Sequence, residues 1–428
     1  MKIIKAWQKD ASGVINRIIN RHERIPAGLE ESVREILNNV KNRGDVALIA
    51  YTEKFDHVSL KPSEMKVKKK EIRDAYKKVS KKFIDAIELS AQRIGKFHEK
   101  QRQRSWMYSE DGALLGQLVT PLQRIGIYVP GGKAAYPSSV IMNTIPAKMA
   151  GVKEIVMCSP SRSKIANPEV LVAADISGVD EIYRIGGAQA IGAMAYGTET
   201  IKKVDKIVGP GNIYVSIAKK IVFGDVDIDM IAGPSEILII ADKTAEPSFV
   251  AADMLSQAEH DEMASAILIT NSEELATNVD IEIKKQLRGL NRKKIAEKSL
   301  ENSGWIILTK SLTDAVNLAN DIAPEHLELS VAEPFEILAI IRNAGAIFLG
   351  NYTPEAIGDY SAGPNHVLPT GGTARFFSPL SVDDFTKRSS VLYFSRDGMR
   401  KIANAVVTIA DSEGLQGHKE AVKVRMRR

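Results

Sequence analysis

The chain has 428 residues, 44% hydrophobic and 26% charged, with a formal net charge of +5. That balance describes two or more globular domains with ample buried core and excludes a disordered or fibrous chain. A single cysteine excludes a disulfide framework and a thiolate metal site, no apolar run reaches about 18 residues, and the opening Met1-Lys-Ile-Ile-Lys-Ala-Trp has no secretory pattern.

The expectation is therefore a cytoplasmic protein without membrane contact. The lysine runs Lys66 to Lys70 and Lys77 to Lys82 alternate with Ile72, Tyr76, Val79, Phe83 and Ile87. This spacing makes one wet and one dry helix face, so no nucleic-acid partner is expected.

Residues 1–22 are short, amphipathic and too small to fold alone. Helical patterns follow over Leu29 to Val40, Asp45 to Phe55 and the long stretch Lys69 to Lys100. Two strand-like runs, Leu114 to Val119 and Arg124 to Val129, lead to Pro130-Gly131-Gly132. Helices over 137–150, 168–178, 188–197 and 213–222 then alternate with apolar strands over 154–158, 181–185 and 206–208. After Gly233-Pro234 a second series begins, with strands over 236–241, 266–270, 305–309 and 344–349 and helices over 247–260, 272–287 and 311–322. Such alternation predicts βαβ units in open, mostly parallel sheets, with a seam near 234 and a tail from about 380 that breaks the rhythm.

The segment Ala323-Pro-Glu-His-Leu-Glu-Leu329 places an acid beside an imidazole. Pro324 should end the preceding helix near Ala323, and the alternation from His326 starts a strand. In an extended segment Glu325 and His326 point to opposite faces, flanking a site as general base and acid/base partner.

Three Gly-rich turns, Tyr128-Val-Pro-Gly-Gly, Gly186-Gly-Ala-Gln189 and Gly209-Pro-Gly-Asn212, fall where strands end and helices begin. Free backbone N–H groups at such positions suit a nucleotide or phosphate crevice, although none is a G-x-G-x-x-G. Gln257 and His260, three apart near a helix end, share a face. Asp359 lies in the loop Gly358-Asp-Tyr-Ser-Ala-Gly-Pro-Asn-His366, and Glu413-Gly-Leu-Gln-Gly-His418 lies near the C-terminus. Taken singly, each is equally a tight turn, a polar helix end or an exposed tail. Together, a Gln/His/Asp/His set without thiolates suits a borderline or hard divalent metal with open positions. His22, His57 and His98 lie in helical or basic stretches and read as structural. Residues alone leave open a zinc hydrolase, a nucleotide-binding scaffold and a dehydrogenase of a small polar alcohol.

These stretches, joined by Ile228-Asp-Met-Ile-Ala-Gly-Pro-Ser-Glu and Leu255-Ser-Gln-Ala-Glu-His-Asp, closely resemble the histidinol dehydrogenase family over essentially the whole chain. The resemblance implies oxidation of L-histidinol through L-histidinal to L-histidine, with two NAD and one Zn2+ per subunit. It implies Gln257, His260, Asp359 and His418 as metal ligands and Glu325 and His326 as the catalytic pair. Tyr128, Gln189 and Asn212 match NAD contacts. Ser235 and Glu413 match substrate contacts, together with the metal ligands and His326. The implied assembly is a homodimer with shared active sites, Glu413 and His418 reaching the neighbouring subunit.

The fold class expected is thus α/β, with two doubly wound, Rossmann-like domains lacking GxGxxG and small terminal dimerisation segments. Expected boundaries are a dimerisation segment 1–22, a discontinuous catalytic domain of 23–127 plus 236–380, an NAD-binding domain 128–235, and a tail 381–428. Oxidation of an aldehyde needs an oxygen or sulfur nucleophile. Cys158 sits in an apolar run without an evident activating base, so water must add, and Glu325 is the residue to activate it.

Overall fold

Short apolar runs alternating with amphipathic helices build two parallel sheets in this computed structural model, which describes residues 1–9, 11–21, 28–131, 136–161 and 166–427. The first sheet has five strands in the spatial order Glu181–Tyr183, Glu154–Cys158, Arg124–Tyr128, Lys206–Val208 and Asp227–Ile228. Winding reverses at Arg124–Tyr128, which pairs with Glu154–Cys158 on one side and Lys206–Val208 on the other. The second sheet has six, in the order Lys2–Lys5, Gly304–Leu308, Ser265–Thr270, Glu236–Ala241, His326–Ser330 and Ala346–Leu349. Its winding reverses between Glu236–Ala241 and His326–Ser330. The expected parallel α/β architecture is therefore present.

Both sheets are buried on both faces, as all-parallel sheets require. Along Glu236–Ala241, Ile237, Ile239 and Ala241 enter one core, while Leu238 and Ile240 enter the other. Helices Pro247–Ala258, Glu273–Gln286 and Lys293–Ser303 cover the first face; Ala11–Ile19 and Leu312–Ile322 cover the second. In the first sheet, Tyr128, Val156 and Cys158 pack with Val33, Leu37 and Leu48 of helix Leu29–Asp56. On its other face Ile125, Ile127 and Met157 pack with Ile87 and Ile94 of helix Lys81–Glu99.

This packing corrects the expected domain boundaries. The helical region after residue 28 belongs with the first sheet rather than with 236–380, because its apolar stripes cover that sheet's two faces. The segment 1–22, expected to serve a partner subunit, is partly this chain's own: Lys2–Lys5 pairs with Trp305 to Leu308, and Ile18 enters the second sheet's core. Two helix boundaries also differ. The stretch 69–100 divides into Lys69–Tyr76 and Lys81–Glu99, since the Ser80 hydroxyl accepts the Phe83 N–H at 3.2 Å and starts a new helix. The two helices expected between Leu29 and Phe55 form one element broken at Gly44, where φ is 50° and the Glu199 carboxylate occupies the space of any Cβ.

A third, antiparallel sheet was only partly legible: Trp106–Glu110, Ala113–Pro121 and Thr386–Phe394. Its polar stretch Thr386-Lys-Arg-Ser-Ser hides the strand from a hydrophobic count. This sheet leaves Trp106, Tyr108, Leu392 and Tyr393 exposed. Helices Arg396–Ser412 and Gln416–Met426 complete the tail, and the last has no buried residue. Among the described residues no helix is long and apolar enough to cross a membrane.

Candidate active site

Helix Leu312–Ile322 ends where Pro324 requires, and Ala323 takes the left-handed conformation with φ 51°, unusual for a residue with a Cβ. His326 is the first residue of its strand, level with Ile237 on one side and Ala346 on the other. Glu325 lies in the bend before it, outside the strand's alternation. The two side chains consequently do not point to opposite faces. Glu325 Oε2 stands 3.7 Å from His326 Nδ1, and both are buried. One residue holds the pair: the Glu236 N–H donates to Glu325 Oε2 at 2.8 Å, and His326 Nδ1 lies 2.9 Å from the Glu236 carbonyl. A carbonyl only accepts, so Nδ1 carries the proton of that bond and Nε2 is the nitrogen left to face the site. Nε2 is buried without a hydrogen-bond partner among the described residues and lies 3.7 Å from Asp359 Oδ1.

Two helices complete this floor. Pro247–Ala258 carries Gln257, with His260 just beyond its C-terminal cap. Glu355–Tyr360 carries Glu355 and Asp359, four apart and so on one face. Ligand atoms of His260, Glu355 and Asp359 lie within 4.8 Å of one another. The Gln257 amide nitrogen, placed by the acceptors around it, donates to Glu355 Oε1 at 2.9 Å and to the Glu236 carbonyl at 3.2 Å. Glu328, two residues along the strand from His326, accepts the Glu355 N–H at 2.7 Å and fixes the start of that short helix. His366 Nδ1 lies 2.9 Å from the Asp359 carbonyl and its Nε2 lies 3.4 Å from Ser139 Oγ, joining the floor to helix Pro137–Ala150 of the first sheet. The sequence reading missed Glu355; its spacing from Asp359 was the available signal.

The Gly-rich turns gather at the carboxyl ends of the first sheet's strands, at its winding reversal. Tyr128 ends the central strand, and its hydroxyl accepts the Gly187 N–H at 3.1 Å. Gly209 has φ 111°, and a Cβ there would strike the Tyr128 carbonyl. Its turn is pinned by the buried Lys219–Asp229 ion pair, with Asp229 accepting the Gly209 N–H at 2.8 Å and Lys219 donating to its carbonyl at 3.1 Å. Gln189 is buried with neither amide atom partnered among the described residues. Asn212 is exposed, and its side chain caps helix Ile213–Val222 by accepting the Val215 N–H at 3.2 Å. Part of the first turn, Gly132, and His22 lie outside the described residues.

Ser235 is half-buried beside Glu236, its carbonyl accepting the Ser265 N–H at 3.0 Å. Glu413 and His418 are exposed on the tail, and His418 is not among the groups gathered around Asp359. A single chain thus brings together Gln257, His260, Asp359, Glu325 and His326, and not the last two tail residues.

Burial and crowding set the charge state. Burial first, and then the Glu236 and Glu355 charges, push the Glu325 carboxyl up to about 8 against the pull of His326. Burial alone would lower His326, but Glu355, Glu325 and Asp359 together raise it well above its usual value. Glu355 rises to about 7, chiefly through burial. Cys158 is fully buried in the other sheet, and burial pushes its thiol up to about 12. In metal-stripped protein, folded Glu325 keeps its proton up to about 8, whereas the unfolded chain releases it near 4.5. The stability tied to this proton is full below 4.5 and is lost as pH rises through 8. Glu325→Gln should therefore gain stability over the parent between pH 5 and pH 9, on the order of a few kcal/mol. Denaturant titrations across that range check this; a constant difference would contradict it.

The histidinol dehydrogenase family model matches residues 19–426. The chain is 56% identical to histidinol dehydrogenase of Geobacter sulfurreducens over 412 residues, 96% of each chain. It is 54% identical to that of Clostridium acetobutylicum, covering 100% of this chain and 99% of the other. A crystal structure of histidinol dehydrogenase from Elizabethkingia anophelis superimposes with TM-score 0.94 at 40% identity, covering 100% of this chain and 98% of that one. With its parallel α/β architecture and buried acid–imidazole site, the chain belongs to the histidinol dehydrogenase family of oxidoreductases.

Proposed function

We propose that this chain oxidises L-histidinol to L-histidine in two steps through L-histidinal, with NAD as acceptor and one zinc per subunit. The observation that carries the reading is the buried Glu325–His326 pair, anchored on Glu236 beside the His260, Asp359 and Gln257 donors. These donors suit zinc: an imidazole, carboxylates and an amide, with no thiol near. Gln257, His260 and Asp359 would hold it, with His418 supplied by a second copy of the chain. Bound zinc would supply a Lewis acid for nitrogen donors of the substrate and positive charge that balances this carboxylate cluster. The orphaned Gln189 amide and the close backbone approach at Gly209 suit a dinucleotide, with Tyr128 and Asn212 beside them. NAD, when bound, accepts hydride at each of the two oxidations.

The chain's own groups move the protons. His326 Nε2 takes the hydroxyl proton of the alcohol in the first oxidation. In the second, Glu325 draws a proton from water as its oxygen adds to the aldehyde carbon, giving the hydrate that loses hydride. Ser235 and Glu413 contact substrate in this reading. Exposed Trp106, Leu392 and Tyr393, on the sheet that leads into the tail, support a homodimer in which Glu413 and His418 complete the neighbour's site.

Comparing turnover on histidinol and histidinal tests the assignment. Glu325→Gln should slow histidinal oxidation about 10²–10⁴-fold and the alcohol step less, since His326 remains. Cys158→Ala should leave both steps nearly intact. The opposite pattern would require a thiol adduct and reject the water route. Replacing His260 by Ala or Asp359 by Asn should lower bound zinc and activity together, and full metal occupancy in both would reject them as ligands. Inactive His418→Ala and Glu325→Ala chains, mixed and exchanged, should regain activity, because one site of the heterodimer carries neither defect. No recovery after demonstrated exchange would count against a shared site.

A further inference from the structure

We propose that Arg21 is a positioning residue for the Glu325–His326 pair, acting through Glu236; the inference rests on the catalytic reading of that pair. Arg21 directly follows the Ala11–Ile19 helix and its turn, in the segment 1–22 that the sequence alone marks as short, amphipathic and meant for dimerisation. Its guanidinium forks onto the Glu236 carboxylate, Nε to Oε1 at 2.5 Å and Nη2 to Oε2 at 2.6 Å. The remaining nitrogen, Nη1, donates to the Ile18 carbonyl at 3.0 Å and to the Ile322 carbonyl at 2.9 Å. One planar group therefore joins three things: the N-terminal helix, the first residue of the strand Glu236–Ala241, and the helix end beside the left-handed Ala323 turn.

Both ends of that turn matter to the site. The Glu236 backbone grips Glu325 through its N–H and His326 through its carbonyl. Ile322 immediately precedes the Ala323-Pro324 link into the pair. Arg21 thus ties the residue that holds the pair to the segment that delivers it. The Glu236 carboxylate is 8% exposed, so without the guanidinium it stands buried without a cationic partner among the described residues, with the Gly371 N–H donating at 3.2 Å. A buried carboxylate without its partner turns toward water, and that movement disturbs the backbone that fixes both catalytic side chains. A lysine supplies a point charge for Glu236 but no fork and no reach to both carbonyls.

The test uses the full-length, zinc-loaded protein as Arg21→Gln, Arg21→Lys and Glu325→Gln. Turnover number, KM for histidinol, bound zinc and thermal midpoint are measured for each. Arg21→Gln should lower turnover about 10–100-fold, as misplacement of reacting groups by about 1 Å does, with KM and zinc content near the parent's. Arg21→Lys should recover part of that loss and remain several-fold slow at full zinc occupancy. A purely structural role would lower the thermal midpoint and leave turnover per folded molecule unchanged. Parental turnover per folded molecule in either Arg21 variant overturns the proposal, and if Arg21→Gln does not fold, Arg21→Lys decides it. Glu325→Gln separates the two readings. If it is slow while the Arg21 variants are fast, only the clamp is wrong; if it is fast, the catalytic assignment of the pair falls first.

Discussion

The chemistry of this structure depends on one strand pairing, that of Glu236–Ala241 with His326–Ser330. The parallel register sets His326 level with Ile237, so that Glu236 sits at the edge of the ladder with its backbone directed at the Glu325–His326 pair. Its N–H and carbonyl serve side chains, orienting the Glu325 carboxylate and choosing the His326 tautomer. A slip of one residue would turn the buried set to the other face and remove both contacts at once. The apolar alternation of Ile237 to Ala241 between two cores resists such a slip, so core packing and the geometry of the Glu325–His326 pair share one cause.

The second consequence is electrostatic. Four carboxyl groups, Glu325, Glu328, Glu355 and Asp359, crowd a buried volume with His326, His260 and His366. Burial raises Glu325 to about 8 and Glu355 to about 7, while the facing imidazoles bring Asp359 below its ordinary value. Such divergence among neighbouring acids separates roles: one group held near neutrality can exchange protons, and another stays anionic for a cation. The cost of gathering these charges is met by backbone N–H groups, by the Gln257 amide and by the bonds that brace Glu355 and Asp359 from behind. The Cys158 thiol, pushed up to about 12 by burial, lies in the other sheet and not among these groups.

The location of the site joins two sheet ends of opposite sense. The glycine turns lie at the carboxyl ends of the first sheet's strands, the usual place for a ligand crevice. Glu236 and His326 instead begin their strands, at the amino ends of the second sheet. The contact of His366 with Ser139, and the Asn365 amide donating to the Met142 carbonyl at 2.7 Å, lock these two ends together.

Much of this was written in local sequence. The βαβ alternation, the break at Pro324, the burial of Cys158 in a strand and the motifs carrying Gln257, His260, Asp359, Glu325 and His326 all follow from periodicity, turn chemistry and residue type. Those signals act over a few residues, and the chain states them directly. Glu355 escaped because a carboxylate four residues before Asp359 on a short helix looks like an ordinary solvated acid until Gln257, 98 positions earlier in the chain, covers it. The helices after residue 28 were assigned to the wrong sheet because an apolar stripe specifies that it must be buried and not against what. Glu413 and His418 carry a motif in the sequence, yet the folded chain leaves them on its surface. Sequence by itself determined the elements and the chemical groups. Which carboxylate is buried, which backbone holds it and which arginine reaches it were decided by tertiary packing, because desolvation and hydrogen-bond partnership exist only once distant segments meet.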